Sequence, residues 1–112
     1  MDYNLVYSIA KEVLNDRLTR DDAAYEIVRS TGMNIATAKI HISDLIDMHR
    51  GNMYTRTISV QATKCFIDSL KRDYGISVYQ NALYATKEHV KYYNSLGGGK
   101  RNSIAKLLKD YT

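Results

Sequence analysis

The chain has 112 residues, about the length of one domain, and its 45% apolar and 25% charged residues are the proportions of a folded globule rather than a disordered tract. No apolar run approaches the roughly 18–20 residues needed to span a bilayer, so no membrane partner is expected. The opening Met1-Asp2-Tyr3-Asn4 is acidic, unlike a secretory signal, and the lone Cys65 excludes both an internal disulfide and a Cys-rich metal finger. A reducing, cytoplasmic setting is the expectation.

Proline and tryptophan are absent, and ten tyrosines accompany a single phenylalanine, Phe66. Without proline nothing interrupts a helical hydrogen-bond ladder. Each buried tyrosine hydroxyl needs a partner, so some of the ten are expected at the surface. Charge is uneven. Residues 1–49 carry five Lys/Arg against eight Asp/Glu (net −3), whereas residues 50–112 carry eleven against four (net +7). A basic half of this kind points to an acidic partner, nucleic acid first among them; a solvated lysine-rich surface is the plainer alternative.

Six helices are predicted in chain order. Leu5, Val6, Ile9, Val13 and Leu14 form an apolar stripe from Asn4 to about Asn15. Thr19 is placed to cap a second helix, with Asp21 and Asp22 in its first turn, Ala23, Ala24, Ile27 and Val28 inward, and Gly32 at its end. Asn34 caps a third, to about His49, with Ile35, Ala38, Ile42, Leu45 and Ile46 inward and Gly51 closing it. Residues 51–58 read as a loop. Ser59 caps a fourth helix to Tyr74, built on Thr63, Phe66, Ile67 and Leu70 and stopped by Gly75. The fifth runs from about Ser77 to Ser95 with Val78, Ala82, Leu83, Thr86, Val90 and Tyr93 along one face. After a break at Gly97-Gly98-Gly99-Lys100-Arg101, Ser103 caps a short last helix with Ile104, Leu107, Leu108 and Tyr111 inward. The expected fold is a single all-α domain over residues 1–112, a bundle of about six helices with no internal repeat.

Four candidate sites emerge. Ala24 to Ile42 allows a helix-turn-helix around Ser30-Thr31-Gly32-Met33, with Asn34, Thr37, Lys39 and His41 projecting from a recognition helix. The bulky Val28 before the turn and the acidic surroundings count against it. On the fifth helix, Tyr84, Lys87, Lys91 and Tyr92 lie opposite the apolar face with His89 at its margin. Ammonium groups there would hold phosphates while rings pack on sugars or unpaired bases; packing of the tyrosines on neighbouring helices is the competing fate. The glycine loop with Lys100 and Arg101, beside the start of the last helix, would clamp a phosphate or simply connect two helices. Arg50 and Arg56 flank the 51–58 loop around Asn52, Tyr54, Thr55 and Thr57, and Lys64, Lys71 and Arg72 of the fourth helix add further phosphate-binding cations.

Catalysis is not expected, and no cofactor or metal is implied. His41, His49 and His89 form no H-x-x-x-H pair, no HExxH motif is present, and Cys65 beside Phe66 reads as a small hydrophobe.

The run Met48-His49-Arg50-Gly51-Asn52-Met53-Tyr54-Thr55-Arg56-Thr57 resembles a Gly-x-x-Tyr-x-Arg stretch found upstream of the nuclease module in some bacterial HNH-type restriction endonucleases. Asp73-Tyr74-Gly75, Asn81-Ala82-Leu83, His89-Val90-Lys91-Tyr92-Tyr93 and Ile104 to Tyr111 are similar to later pieces of the same region, so the resemblance covers roughly the last two-thirds of the chain. It implies the N-terminal, non-catalytic recognition module of such an enzyme or a stand-alone relative. Its partners would be duplex DNA, including DNA with modified cytosine, and a nuclease domain in cis or in trans. The nuclease's own His-Asn-His residues have no counterpart here. The reading from another class is a helical protein-interaction module, an adaptor, regulator or inhibitor that uses the acidic first half and exposed tyrosines. RNA is a further alternative to DNA, because tyrosine stacking favours unpaired bases.

Overall fold

The computed structural model describes residues 1–97 and 100–111 of the chain. Those residues form six helices, α1 (Tyr3–Leu14), α2 (Arg20–Thr31), α3 (Ile35–Arg50), α4 (Val60–Tyr74), α5 (Ile76–Ser95) and α6 (Asn102–Lys109). None forms a strand. No helix is long and apolar enough to cross a membrane among the described residues.

Local chemistry sets most boundaries. The side chains of Asp2, Thr19 and Ser59 accept from the backbone N–H three residues on, at 3.1, 3.1 and 3.0 Å. Asn34 accepts from Ala36 N at 2.8 Å and from Thr37 N at 3.4 Å. Each cap satisfies amide donors that the first turn leaves without intrahelical partners. At the other ends Gly32 and Gly51 both adopt φ 76°, the left-handed conformation that closes a helix at little steric cost. Gly75 alone separates α4 from α5, so α5 begins one residue earlier than its sequence suggests. The expected Ser103 cap is not formed. Arg101 occupies the N-cap position of α6, and no side chain caps it.

Helix α3 lies at the centre, packed on α1, α2 and α5 with a lighter contact to α4; α4 in turn packs on α5, α1 and α6. Val6 and Ala10, Ala23 and Ile27, Ile42 and Leu45, Phe66 and Leu70, and Ala82 and Ala85 make one continuous apolar cluster from five helices. In two helices the buried stripe is rotated from the expected one. On α1, Val6, Tyr7 and Ala10 turn inward with Ile9 while Leu5 is exposed. On α5, Ala82, Ala85, Thr86 and His89 are buried, whereas Val78, Leu83, Val90 and Tyr93 are only half-buried. Small residues let α3 approach α5 closely, which brings the small-residue face inward and leaves the bulkier apolar side chains at the margin.

The end of α4 is fastened to α1 by Asp73. Its carboxylate accepts from Tyr7 Oη at 2.8 Å and Lys11 Nζ at 3.1 Å, and from Arg72 Nε and Nη2 at 2.9 and 3.0 Å. Arg72, then Tyr7 and Lys11, hold this carboxyl well below the usual range despite partial burial. A depressed folded pKa stabilises the protein above the unfolded value of about 3.8, and that contribution is lost as pH falls from there through the folded value. Asp73→Asn should therefore cost about 1–3 kcal/mol at neutral pH in urea unfolding. The difference between the two proteins should shrink as the pH is taken below about 4.

Candidate nucleic-acid interface

The connection from α3 to α4 is a loop without regular structure, as expected, but one residue fixes its course. Tyr54 is 2% exposed. Its ring stacks on His89 of α5 at 4.3 Å between centroids and 13° between planes, and its hydroxyl donates to Thr86 Oγ1 at 3.0 Å. The Tyr54 carbonyl lies 2.7 Å from His89 Nδ1. A carbonyl only accepts, so Nδ1 carries a proton and donates. Burial disfavours the charged ring and lowers the His89 pKa, against the opposing pull of the Tyr54 carbonyl. Tyr54 is thus a structural pin rather than the base-contacting residue expected from its place in the loop. His89 belongs to the core, not to the helix margin.

A second fixture sets the start of the loop. Asn81 Nδ2 donates to the His49 carbonyl at 3.1 Å, near the end of α3. The Asn81 side chain sits so near Gly51 that an added Cβ there would meet it at 3.2 Å. Gly51 is therefore required for its positive φ and for this approach.

These two fixtures lay Gly51, Asn52 and Met53 alongside the outer face of α5, where Tyr84, Glu88, Lys91 and Tyr92 form the opposite wall of a groove of about 520 Å³. Tyr84 is 57% exposed. Lys91 pairs with Glu88 at 3.4 Å, and Lys87 extends the same exposed helical face. Arg50 precedes the loop and Arg56 follows Met53; both are exposed. No carboxylate lies within ion-pair distance of Arg50, Arg56, Lys87 or Lys100 among the described residues.

The remaining expected site residues are dispersed. Lys64 pairs with Asp68 at 2.6 Å, and Arg72 is held by Asp73; both line a different groove, between α1 and α4. The Lys71 ammonium lies 4.4 Å from the centre of the Tyr79 ring. Arg101 serves the fold. Its guanidinium donates to the Ile58 carbonyl at 2.8 Å and lies 5.8 Å from the Tyr93 ring centre, and its backbone N–H donates to Asn94 Oδ1 at 2.9 Å. Lys100 and Arg101 line one pocket with Asn102 and Ser103 at the start of α6, but part of the Arg101 guanidinium is held by the Ile58 carbonyl; Gly98 and Gly99 of that loop lie outside the described residues.

Helices α2 and α3 have the connectivity of a helix-turn-helix, but α3 is the central helix of the bundle. His41 does not project outward: it is 5% exposed, stacks on Tyr3, meets Phe66 edge-on, and contacts the Thr37 carbonyl through Nδ1 at 2.8 Å. The Asn34 carboxamide oxygen is occupied as a cap, and Thr37 and Lys39 remain exposed near the start of α3. With His41 buried and Asn34 engaged as the cap, only Thr37 and Lys39 of the four expected reading residues remain on a free surface.

By sequence Asp44 and Asp47, three apart on one helix, read as a pair of exposed surface acids, and for Asp44 the structure overturns this. Asp44 is 1% exposed, and its Oδ2 finds no hydrogen-bond partner. Burial, and secondarily the neighbouring Asp47, push its pKa up to about 8 against the opposing pull of Arg56 and Arg101. Among the described residues no cluster of three His, Cys, Asp or Glu side chains could hold a metal ion.

A raised carboxyl pKa favours the fold at low pH, and that contribution is lost as pH rises from about 4 towards 8. Asp44→Asn should flatten this fall, so that the melting temperature of the variant gains on the wild type with rising pH. Buried His41 and His89, whose charged forms burial disfavours, act in the opposite sense but in both proteins alike. The difference between the two melting curves thus isolates Asp44. A constant difference across this range would show that Asp44 stays ionised in the fold.

Comparison of the chain with family models, with curated proteins and with solved structures finds no match.

Proposed function

We propose that this chain is a non-catalytic DNA-recognition module, acting beside a nuclease domain in a restriction or defence system. The observation that carries the reading is the groove between the 51–53 loop and α5, where exposed Tyr84 and half-buried Tyr92 alternate with Lys91 and, one turn away, Lys87. Ammonium groups at that spacing hold successive phosphates, and the rings supply flat surfaces for sugars or extruded bases. Arg50 and Arg56 at the two ends of the loop extend the positive surface, and Lys91 offsets the single acid, Glu88. The net +7 of residues 50–112 adds long-range attraction for a polyanion. The assignment to DNA, to modified cytosine and to a restriction system rests on the similarity of Gly51, Tyr54 and Arg56 to the HNH-associated stretch. In the structure Gly51 and Tyr54 shape the groove rather than line it with reading groups.

Fluorescence anisotropy with plain and cytosine-modified duplexes, titrated across salt, tests the reading. Removing one phosphate-neutralising side chain reduces the slope of log K against log salt by about 0.9 for duplex DNA. Lys87→Ala combined with Lys91→Ala should therefore flatten the slope by about 2 and weaken all duplexes alike. Tyr84→Ala should cost about 1–3 kcal/mol on a single strand if its ring stacks on a base. Tighter binding to the modified duplex supports the restriction assignment, and equal binding counts against it. No binding even at low salt overturns the proposal.

A further inference from the structure

The acidic half of the molecule carries a second groove, between α1 and α2, of about 560 Å³. Ile9 and Leu18 supply its apolar lining. Along one side Ser8 and Glu12 stand one turn apart on α1; along the other, Asp22, Tyr25, Glu26 and Arg29 follow the i, i+3, i+4, i+7 spacing of a single face of α2. Tyr25 is 65% exposed, its hydroxyl has no hydrogen-bond partner among the described residues, and Leu5, also exposed, continues the α1 side by a further turn.

We propose that this groove docks a cationic amphipathic helix of a protein partner. Three carboxylates and one guanidinium line it. Glu26 pairs with Arg29, and Glu12 accepts from Arg17 at 3.5 Å, a surface pair that an incoming cation can replace. The Asp22 carboxylate has no ion pair among the described residues. The rim thus offers negative charge to an incoming cation and repels phosphate or an anionic lipid surface. An apolar trough between two helices, flanked by an exposed aromatic, takes the ridge of a third helix, whose apolar anchors recur at the same i, i+3, i+4 spacing. Lysine or arginine residues flanking those anchors would meet Glu12, Asp22 and Glu26. The groove shares no residue with the α5 groove, so a partner docked here leaves the nucleic-acid surface open, and the proposal does not depend on that reading.

The test uses the full chain, isotopically labelled for amide NMR, and two designed helical peptides of the same leucine pattern, one with lysine and one with glutamate at its polar positions. The leucine–lysine peptide should shift amides of residues 8–29 and bind more weakly as salt rises; the leucine–glutamate peptide should not bind. Asp22→Lys with Glu26→Lys should lower the affinity at least about tenfold, and Tyr25→Ala, an exposed change that spares the fold, roughly threefold to tenfold. Tyr25→Ala, which leaves the net charge unchanged, should not alter binding to a DNA duplex. Shifts scattered over the whole surface, equal binding of both peptides, or unchanged affinity in the charge-reversed chain would overturn the proposal. So would concentration-dependent self-association abolished by Tyr25→Ala, which would make a second copy of the chain the occupant.

Discussion

The contact between Tyr54 and His89 joins two parts of the chain that local forces do not bring together. One ring is fixed three times over, by stacking on the imidazole, by its hydroxyl on Thr86, and by its own backbone carbonyl on His89 Nδ1. The carbonyl contact requires a proton on Nδ1, which fixes the orientation of the imidazole. With Tyr54 seated, the loop between α3 and α4 cannot lift from α5. Gly51, Asn52 and Met53 then lie along that helix, and Ile58 offers its carbonyl to Arg101 at the start of α6. The α5 groove depends on this seat together with the Asn81 contact to the His49 carbonyl, and the last helix gains the Ile58–Arg101 bond in addition to its buried Ile104, Leu107 and Leu108.

The distribution of charge looks different once pairing is known. By sequence the second half is a broad basic field. In three dimensions, Lys64 and Arg72 are held by neighbouring carboxylates, Lys71 lies over a tyrosine ring, and Arg101 is spent on a backbone carbonyl and another ring. Surface pairs of this kind contribute little to stability. Their larger effect is to decide which cations stay free to meet a polyanion. Arg50, Arg56 and Lys87 have no such pair among the described residues, and Lys91 beside them shares the Glu88 carboxylate.

The molecule therefore presents two unlike surfaces on one bundle. The face of α5 and its loop combines cations with exposed rings; the α1–α2 groove combines carboxylates with an apolar floor. Central α3 separates them, and its burial explains why neither surface uses it as a probe. Asp44, buried on α3 without a hydrogen-bond partner for Oδ2, is a place where burial works against the fold at neutral and higher pH.

How much of this could be read from the residues depends on the range of the forces involved. Capping and stopping are decided within a turn of helix. Thr19, Asn34 and Ser59, with Gly32, Gly51 and Gly75, therefore marked the ends of α2, α3 and α4 to within a residue, and the all-helical class followed. Periodicity also marked Ile42, Leu45, Phe66 and Leu70 as core, because bulky apolar groups at helical spacing have one stable destination. Tyr84, Lys87 and Lys91 were recognisable as an exposed face for the complementary reason. Polar and amphipathic side chains were not legible in this way. His41 and Tyr54 were expected at a surface and are buried, His89 was expected at a margin and is in the core, and Arg101 was expected to meet a phosphate and meets a carbonyl. Each of these has both an apolar body and a polar tip, so its fate depends on whether a partner arrives from a distant part of the chain. Sequence by itself determined where α2, α3 and α4 begin and end and which of their bulky apolar residues are core; the tertiary structure decided the inward faces of α1 and α5 and which rings and cations are consumed by the fold, because only packing brings residues 54 and 89, or 58 and 101, within hydrogen-bond reach.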